Sequence, residues 1–213
     1  MKNLKVLLVN GSPHKHGCTD RALQEVGSAL AVEDVDSEIF WIGPRPVGGC
    51  IACHGCDRKG ACVFDDVANE FTARAAEADG FVFGAPVHYA HAAASLLGFM
   101  DRAFYSSGRA GKPNPFTRKP AAAVASARRA GTTASLGDIE KFFTISQMPV
   151  VSSFYWNEVH GYTPADVEAD KEGIATMQQL GHNMAWMLKS LEAGRAAGIE
   201  PEDVTRVITN FIR

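Results

Sequence analysis

Apolar and polar positions change period repeatedly along the chain. Lys5 to Asn10 is a Val- and Leu-rich run ended by Gly11-Ser12-Pro13, the pattern of a strand buried on both faces. From Thr19 to Val32 the residues Ala22, Leu23, Val26, Ala29 and Leu30 recur at helical spacing, with Thr19 placed as an N-cap. Asp36 to Ile42 reads as a second strand, Val67 to Ala78 as a helix, Gly80 to Gly84 as a third strand and Ala92 to Tyr105 as a helix. A small-residue strand follows at Ala121 to Ser126, a helix at Thr132 to Gln147 and a fifth strand at Val150 to Phe154. A long helix from Asp166 to Gly194 closes the pattern, with Ile174, Met177, Leu180, Met184, Met187, Leu188 and Leu191 as its buried stripe. At that spacing its methionines read as core packing rather than as cofactor contacts.

This alternation predicts an α/β chain, residues 1–213 as one domain, whose parallel sheet of five strands is covered by helices on both faces. Ligands of such sheets sit outside the C-terminal strand ends where the strand order reverses. The loops after the first, third and fourth strands are therefore expected to meet.

With 213 residues and 46% hydrophobic content there is material for one large core. Lys+Arg 21 against Asp+Glu 24 leaves a net charge of −3, which favours neither nucleic acid nor an anionic membrane. No apolar run reaches the roughly 18 to 20 residues that span a bilayer, and the N-terminus opens into a strand rather than a signal peptide. A soluble, cytoplasmic protein is expected.

The joint between the first strand and first helix, Gly11-Ser12-Pro13-His14-Lys15-His16-Gly17-Cys18-Thr19, puts backbone N–H groups and a helix N-terminus at one spot, which suits a phosphate. Ser12 and Thr19 add hydroxyls, and His14 or Lys15 could add positive charge. Without Gly-Lys-Ser/Thr or Gly-x-Gly-x-x-Gly, the loop suits a monophosphate better than a triphosphate or dinucleotide. An ordinary solvated turn is the alternative.

Four of the five cysteines crowd into residues 50 to 62 of a long loop, 43–64. The odd count and the crowding speak for a site rather than a disulfide framework. Cys50, Cys53, Cys56 and Cys62 follow C-x2-C-x2-C-x5-C. Repeated x2 spacing is typical of [4Fe–4S] ligation, whereas four-cysteine zinc sites pair two knuckles across a longer gap. Iron and sulfur are favoured; free thiols or a redox-active pair, and zinc, are the other readings. Gly48, Gly49, Gly55 and Gly60 would let the backbone wrap closely around a cluster within the cysteine-rich stretch 48–64.

The first loop, the segment Gly84-Ala85-Pro86-Val87-His88-Tyr89 with Phe99-Met100-Asp101-Arg102 downstream, and Ser126-Ala127-Arg128-Arg129-Ala130-Gly131-Thr132 together resemble the NADPH-dependent FMN reductase and iron-sulfur flavoprotein group. The resemblance spans residues 4 to about 135. It implies a flavodoxin-like three-layer sandwich with strand order 2-1-3-4-5. It also implies FMN, with its phosphate held by Ser12, His14, Gly17, Cys18 and Thr19; Cys18 stands where many relatives carry Asn. Pro86, Val87, His88, Tyr89 and Ala90 would border the ribityl chain and ring, Pro86 turning the chain stiffly out of the strand. Ser126, Arg128, Arg129 and Gly131 would meet the pyrimidine end, where charge develops on reduction.

The same resemblance supports a [4Fe–4S] cluster on the four cysteines and NAD(P)H as co-substrate, electrons passing to a quinone, a flavin or a redox protein. It also suggests a homodimer or homotetramer, with the segment Phe104 to Phe116 reaching a neighbour. The alternative within this chemistry is a non-enzymatic carrier of the flavodoxin type. A hydrolase with Cys18 as nucleophile and His88 or His160 as base is the reading from a different class.

Overall fold

The computed structural model describes residues 3–209 and 211. Its strands are β1 (Lys5–Asn10), β2 (Asp36–Trp41), β3 (Gly80–His88), β4 (His91–Ala92), β5 (Ala121–Ala127) and β6 (Glu158–His160). Its helices are α1 (Cys18–Val32), α2 (Cys56–Lys59), α3 (Val67–Ala75), α4 (Ala94–Ser106), α5 (Thr132–Ile145), α6 (Pro164–Ala169) and α7 (Lys171–Ala196). The parallel sheet runs β2-β1-β3-β5-β6, and the two-residue β4 pairs antiparallel with β3. Leaving that hairpin aside, this is the order 2-1-3-4-5.

The period-2 alternation of the strands sorts the core into two layers. Leu7, Val9, Phe81, Phe83, Ala121, Ala123 and Ala125 pack with Phe71, Phe99 and Phe143 from α3, α4 and α5. Val6, Leu8, Val82, Ala122 and Val124 point the other way, onto Leu23, Val26 and Leu30 of α1 and Met177, Leu180 and Met184 of α7. The methionines of α7 are core, as their spacing predicts. Near-continuous burial of β1 and β5 follows from helices on both faces.

Three elements differ from expectation. The run Val150 to Phe154 is not the fifth strand. Val150 makes a single bridge to Ala121 at the start of β5; the chain then leaves the sheet and rejoins it as β6, where Glu158 pairs with Ala125. Ser153 Oγ closes the excursion on Tyr155 O and Asn157 Oδ1, both at 2.8 Å, and exposes Phe154, Tyr155 and Trp156. The terminal helix is broken at Asp170, whose ψ of 79° is not helical. A capping box of Thr163 and Asp166 starts α6, and Asp170 accepts from Gly173 N–H to start α7. Its second oxygen accepts from His160 N–H at 2.7 Å, which ties the break to the end of β6.

The third departure concerns Pro86. The chain does not leave the sheet there: β3 continues to His88 and folds back as a hairpin, with Val87 opposite Ala92 and His88 opposite His91. Phe81 N–H bonds Pro120 O, so odd-numbered residues of β3 face β5 and Pro86 faces the β1 side. On that side Ala93 N–H donates to Pro86 O at 3.1 Å, and Ala93 O is taken by Leu96 N–H at 2.9 Å, so the missing N–H of proline leaves no acceptor unpaired.

Candidate functional site

The loops after β1, β3 and β5 meet at the C-terminal sheet edge, as the topology predicts. Gly11 N–H bonds Gly84 O at 2.8 Å, which joins the first loop to β3. Thr19 Oγ1 lies 2.8 Å from Ser126 Oγ, both side chains buried, which joins it to the end of β5. Gly131 has φ +99°, and a Cβ there would stand 2.7 Å from Val87 Cγ1 and 2.8 Å from Ala90 Cα. Only glycine lets the loop after β5 rest on the hairpin in this way.

Within the first loop, Ser12 Oγ accepts from His14 N–H at 3.1 Å, and Ser12 N–H donates to Asn10 Oδ1 at 3.0 Å. Gly17 has no side chain to cap α1, so the first-turn amides of Cys18, Thr19 and Asp20 have no partner within the helix. Three residues that sequence reasoning missed hold this loop. Asn10 Nδ2 donates to Lys15 O at 3.1 Å, the buried Asp20 carboxylate lies 3.4 Å from both Asn10 Nδ2 and His16 Nδ1, and Trp41 Nε1 donates to Ser12 O at 2.8 Å. Lys15 Nζ sits 5.7 Å above the Trp41 ring. The polar end of Lys5 to Asn10 and an Asp one residue after Thr19 were the available signals.

Thr19 is a helical residue rather than the N-cap. The Cys18 side chain packs against the core on α1 and donates to Gly161 O at 3.6 Å, leaving only its backbone for the loop. Burial pushes the Cys18 thiol up, and the Asp166 carboxylate adds to this. An activated nucleophile requires the opposite shift, so the hydrolase reading loses its nucleophile.

Tyr89 and Ala90 form the turn of the β3–β4 hairpin with φ of 49° and 64°, a geometry that Asn-Gly usually supplies, and the Tyr89 side chain is fully exposed at the tip. Arg128 and Arg129 are exposed, and the Arg129 carbonyl is 3.0 Å from His160 Nε2, so β6 supports the third loop.

The four clustered cysteines line one pocket together with His54, Phe64, Arg102 and Tyr105. None of them is in a disulfide; Cys50 and Cys53 are exposed and Cys56 is buried. Among the described residues no three His, Cys, Asp or Glu side chains converge as they would on one metal ion.

Two donors reach sulfur: Ala52 N–H to Cys50 at 3.4 Å and Arg102 Nε to Cys62 at 3.2 Å. Burial pushes the Cys56 thiol up, with Asp57 adding to it. Asn69 of α3 grips the loop by Cys62 N–H, Cys62 O and Phe64 O, at 3.0, 3.0 and 3.1 Å.

Of Gly48, Gly49, Gly55 and Gly60, only Gly60 takes a positive φ; the left-handed turns near the sulfurs fall on Ala52 and His54. Gly98 serves this loop by absence of a side chain, since a Cβ there would meet Val47 O at 2.6 Å. The pocket borders Arg102 and Tyr105, eight to eleven residues along α4 from Ala94, or about 12–17 Å at 1.5 Å per residue. No helix among the described residues is long and apolar enough to cross a membrane.

A doubly wound sheet with these loops at its switch point defines a flavodoxin-like fold. The chain belongs to the NADPH-dependent FMN reductase family, whose model matches residues 4–163. It is 28% identical over 200 residues to an iron-sulfur flavoprotein of Methanocaldococcus jannaschii, covering 89% of this chain and 100% of that protein. An iron-sulfur flavoprotein of Archaeoglobus fulgidus is 28% identical over 99 residues, 46% of this chain and 45% of that one. Among solved structures, RosB with a bound flavin intermediate superposes with a TM-score of 0.70 at 13% identity, covering 99% of this chain and 92% of that chain. An NAD(P)H:quinone oxidoreductase of Methanothermobacter marburgensis gives 0.61 at 13%, covering 86% and 100%.

Proposed function

We propose that the chain is an FMN-dependent oxidoreductase that moves electrons between NAD(P)H or a redox partner and a quinone, flavin or similar acceptor, with a [4Fe–4S] cluster on Cys50, Cys53, Cys56 and Cys62 as a second centre. The observation that carries this reading is the buried Thr19–Ser126 contact, which draws the uncapped start of α1 and the loop after β5 to one point.

FMN, when bound, supplies both two-electron and one-electron chemistry. The residues present fit its parts. The first-turn amides of α1 and the Ser12 hydroxyl suit a phosphate, with Lys15 offsetting its charge and His14 beside it in the loop. Trp41 holds the loop in shape through Ser12 O. The hairpin Val87 to Ala92, backed by Gly131, forms a stiff wall for a planar ring, and Arg128 and Arg129 supply positive charge beside it. At the second site the N–H groups of Ala52 and Arg102 suit thiolate ligands, and a cluster there would supply single-electron transfer. Assembly as a homodimer or homotetramer and a cytoplasmic setting belong to the same proposal.

Anaerobically purified protein, reconstituted with FMN, iron and sulfide, tests the reading by its visible spectrum. Flavin bands that NADPH or NADH bleaches, over a broad iron-sulfur absorption, are expected. Bands that neither nucleotide bleaches sink the reductase half and leave a carrier of the flavodoxin type. No retained flavin sinks the whole.

A further inference from the structure

Among the described residues, Arg102 is the one buried cation, and the FMN site makes no use of it. Its side chain is 3% exposed, whereas that of its ion-pair partner Asp66 is 41% exposed. The guanidinium gives a fork to Asp66, Nη1 to Oδ2 at 2.8 Å and Nη2 to Oδ1 at 2.7 Å. Nη2 also reaches Phe64 O at 3.2 Å, and the Phe64 ring lies 5.0 Å from the guanidinium carbon. A further donor, Nε, points at Cys62 Sγ from 3.2 Å.

That asymmetry has an electrostatic consequence. Asp66 keeps much of its hydration, so its charge is screened on the solvent side, whereas the cation is held dry against sulfur. Asp66 is also the N-cap of α3, accepting from Ala68 N–H at 3.1 Å, so the fork is fixed by a helix start and cannot swing away. A guanidinium can serve a carboxylate and a sulfur at once through its rigid donors; an ammonium at this place cannot match both.

We propose that Arg102 is a positioning residue that raises the reduction potential of the iron-sulfur centre by donating a charge-assisted N–H···S bond to Cys62. The inference rests on the reading of the four cysteines given above. When the centre takes one electron from an external reductant, negative charge on its sulfurs grows and a fixed donor stabilises the reduced form.

The test is a potentiometric titration with dithionite, followed by electron paramagnetic resonance, on reconstituted wild type, R102Q, R102K and N69A. Asn69 holds the backbone at Cys62 without touching its sulfur, so N69A reports mere loosening of the loop. R102Q is expected to be about tenfold less reduced at a fixed potential, a drop of about 59 mV for one electron. R102K should fall between R102Q and wild type, and N69A should stay near wild type.

Equal midpoints in wild type and R102K, or a drop in N69A as large as in R102Q, overturns the proposal. If R102Q folds and binds FMN but holds no iron, the comparison of R102K with wild type decides. A wild-type protein that takes up no iron and sulfide condemns the cluster reading itself, an outcome visible before any variant is made.

Discussion

Thr19 and Ser126 lie 107 positions apart, yet their hydroxyl oxygens meet at 2.8 Å in the core edge beneath the loops after β1 and β5. Neither group has water to fall back on, so each depends on the other. Thr19→Val and Ser126→Ala, made singly, should each lower stability by about 1–3 kcal/mol, because the surviving hydroxyl stays buried without a partner. The double variant should cost less than the two losses added, and FMN affinity should fall in all three. Denaturant melts analysed as a double-mutant cycle check this; strict additivity would count against the contact.

Trp41 supports the phosphate loop from the neighbouring strand, its indole N–H on Ser12 O. Trp41→Phe keeps most of the ring and removes that bond, worth about 1 kcal/mol. FMN should bind roughly fivefold more weakly, with the melting transition lowered by only about 2–4 °C. Quenching of flavin fluorescence on titration measures it, and an unaltered dissociation constant would show that the loop holds without the indole.

Two glycines should respond with opposite signs. Gly131→Ala places a methyl group against Val87 and Ala90 at a φ of +99°, so destabilisation of about 1–3 kcal/mol and loss of FMN binding are expected. Gly137 sits inside α5 with open space at its missing Cβ, and Gly137→Ala should stabilise by about 0.5–1 kcal/mol. Thermal melts of the two variants settle both signs.

Cys18 has its thiol pushed up, by burial first and Asp166 second. A raised thiol is protonated at neutral pH and becomes nucleophilic only as the pH climbs past the ordinary thiol range. Iodoacetamide labelling of Cys18, followed by mass spectrometry, should be slow at neutral pH and should accelerate only above the ordinary thiol range. Cys18→Ser should retain FMN, since the thiol is spent on Gly161 O. Loss of FMN from that variant would return the side chain to the site.

Much of the fold is local in origin and therefore legible in the sequence. Lys5 to Asn10 has the bounds of β1, and the stripe Ala22, Leu23, Val26 and Leu30 is buried as its helical spacing requires. Period 2 and period 3.6 are properties of neighbouring residues, so they survive without knowledge of partners. The meeting of the loops after β1, β3 and β5 was also within reach, since the alternation of strand and helix implies a parallel sheet and a switch point.

What the sequence could not decide depends on partners distant along the chain. Val150 to Phe154 has the composition of a strand, but register with β5 gives the ladder to Glu158–His160. Asp166 to Gly194 looks like one helix until Asp170 finds His160 N–H and breaks it. Pro86 reads as an exit from the sheet until Ala93, opposite it in the hairpin, is seen to give its carbonyl to the start of α4, which leaves the absent N–H without a partner to miss.

The sequence by itself determined the α/β alternation, the phosphate-suited loop and the four grouped cysteines, because these are patterns of adjacent residues. Only the tertiary structure decided that Thr19 meets Ser126, that Trp41 holds Ser12, and that Arg102 turns its Nε donor on Cys62. Such contacts are fixed by directional hydrogen bonds between side chains that packing brings together, and no spacing along the chain encodes them.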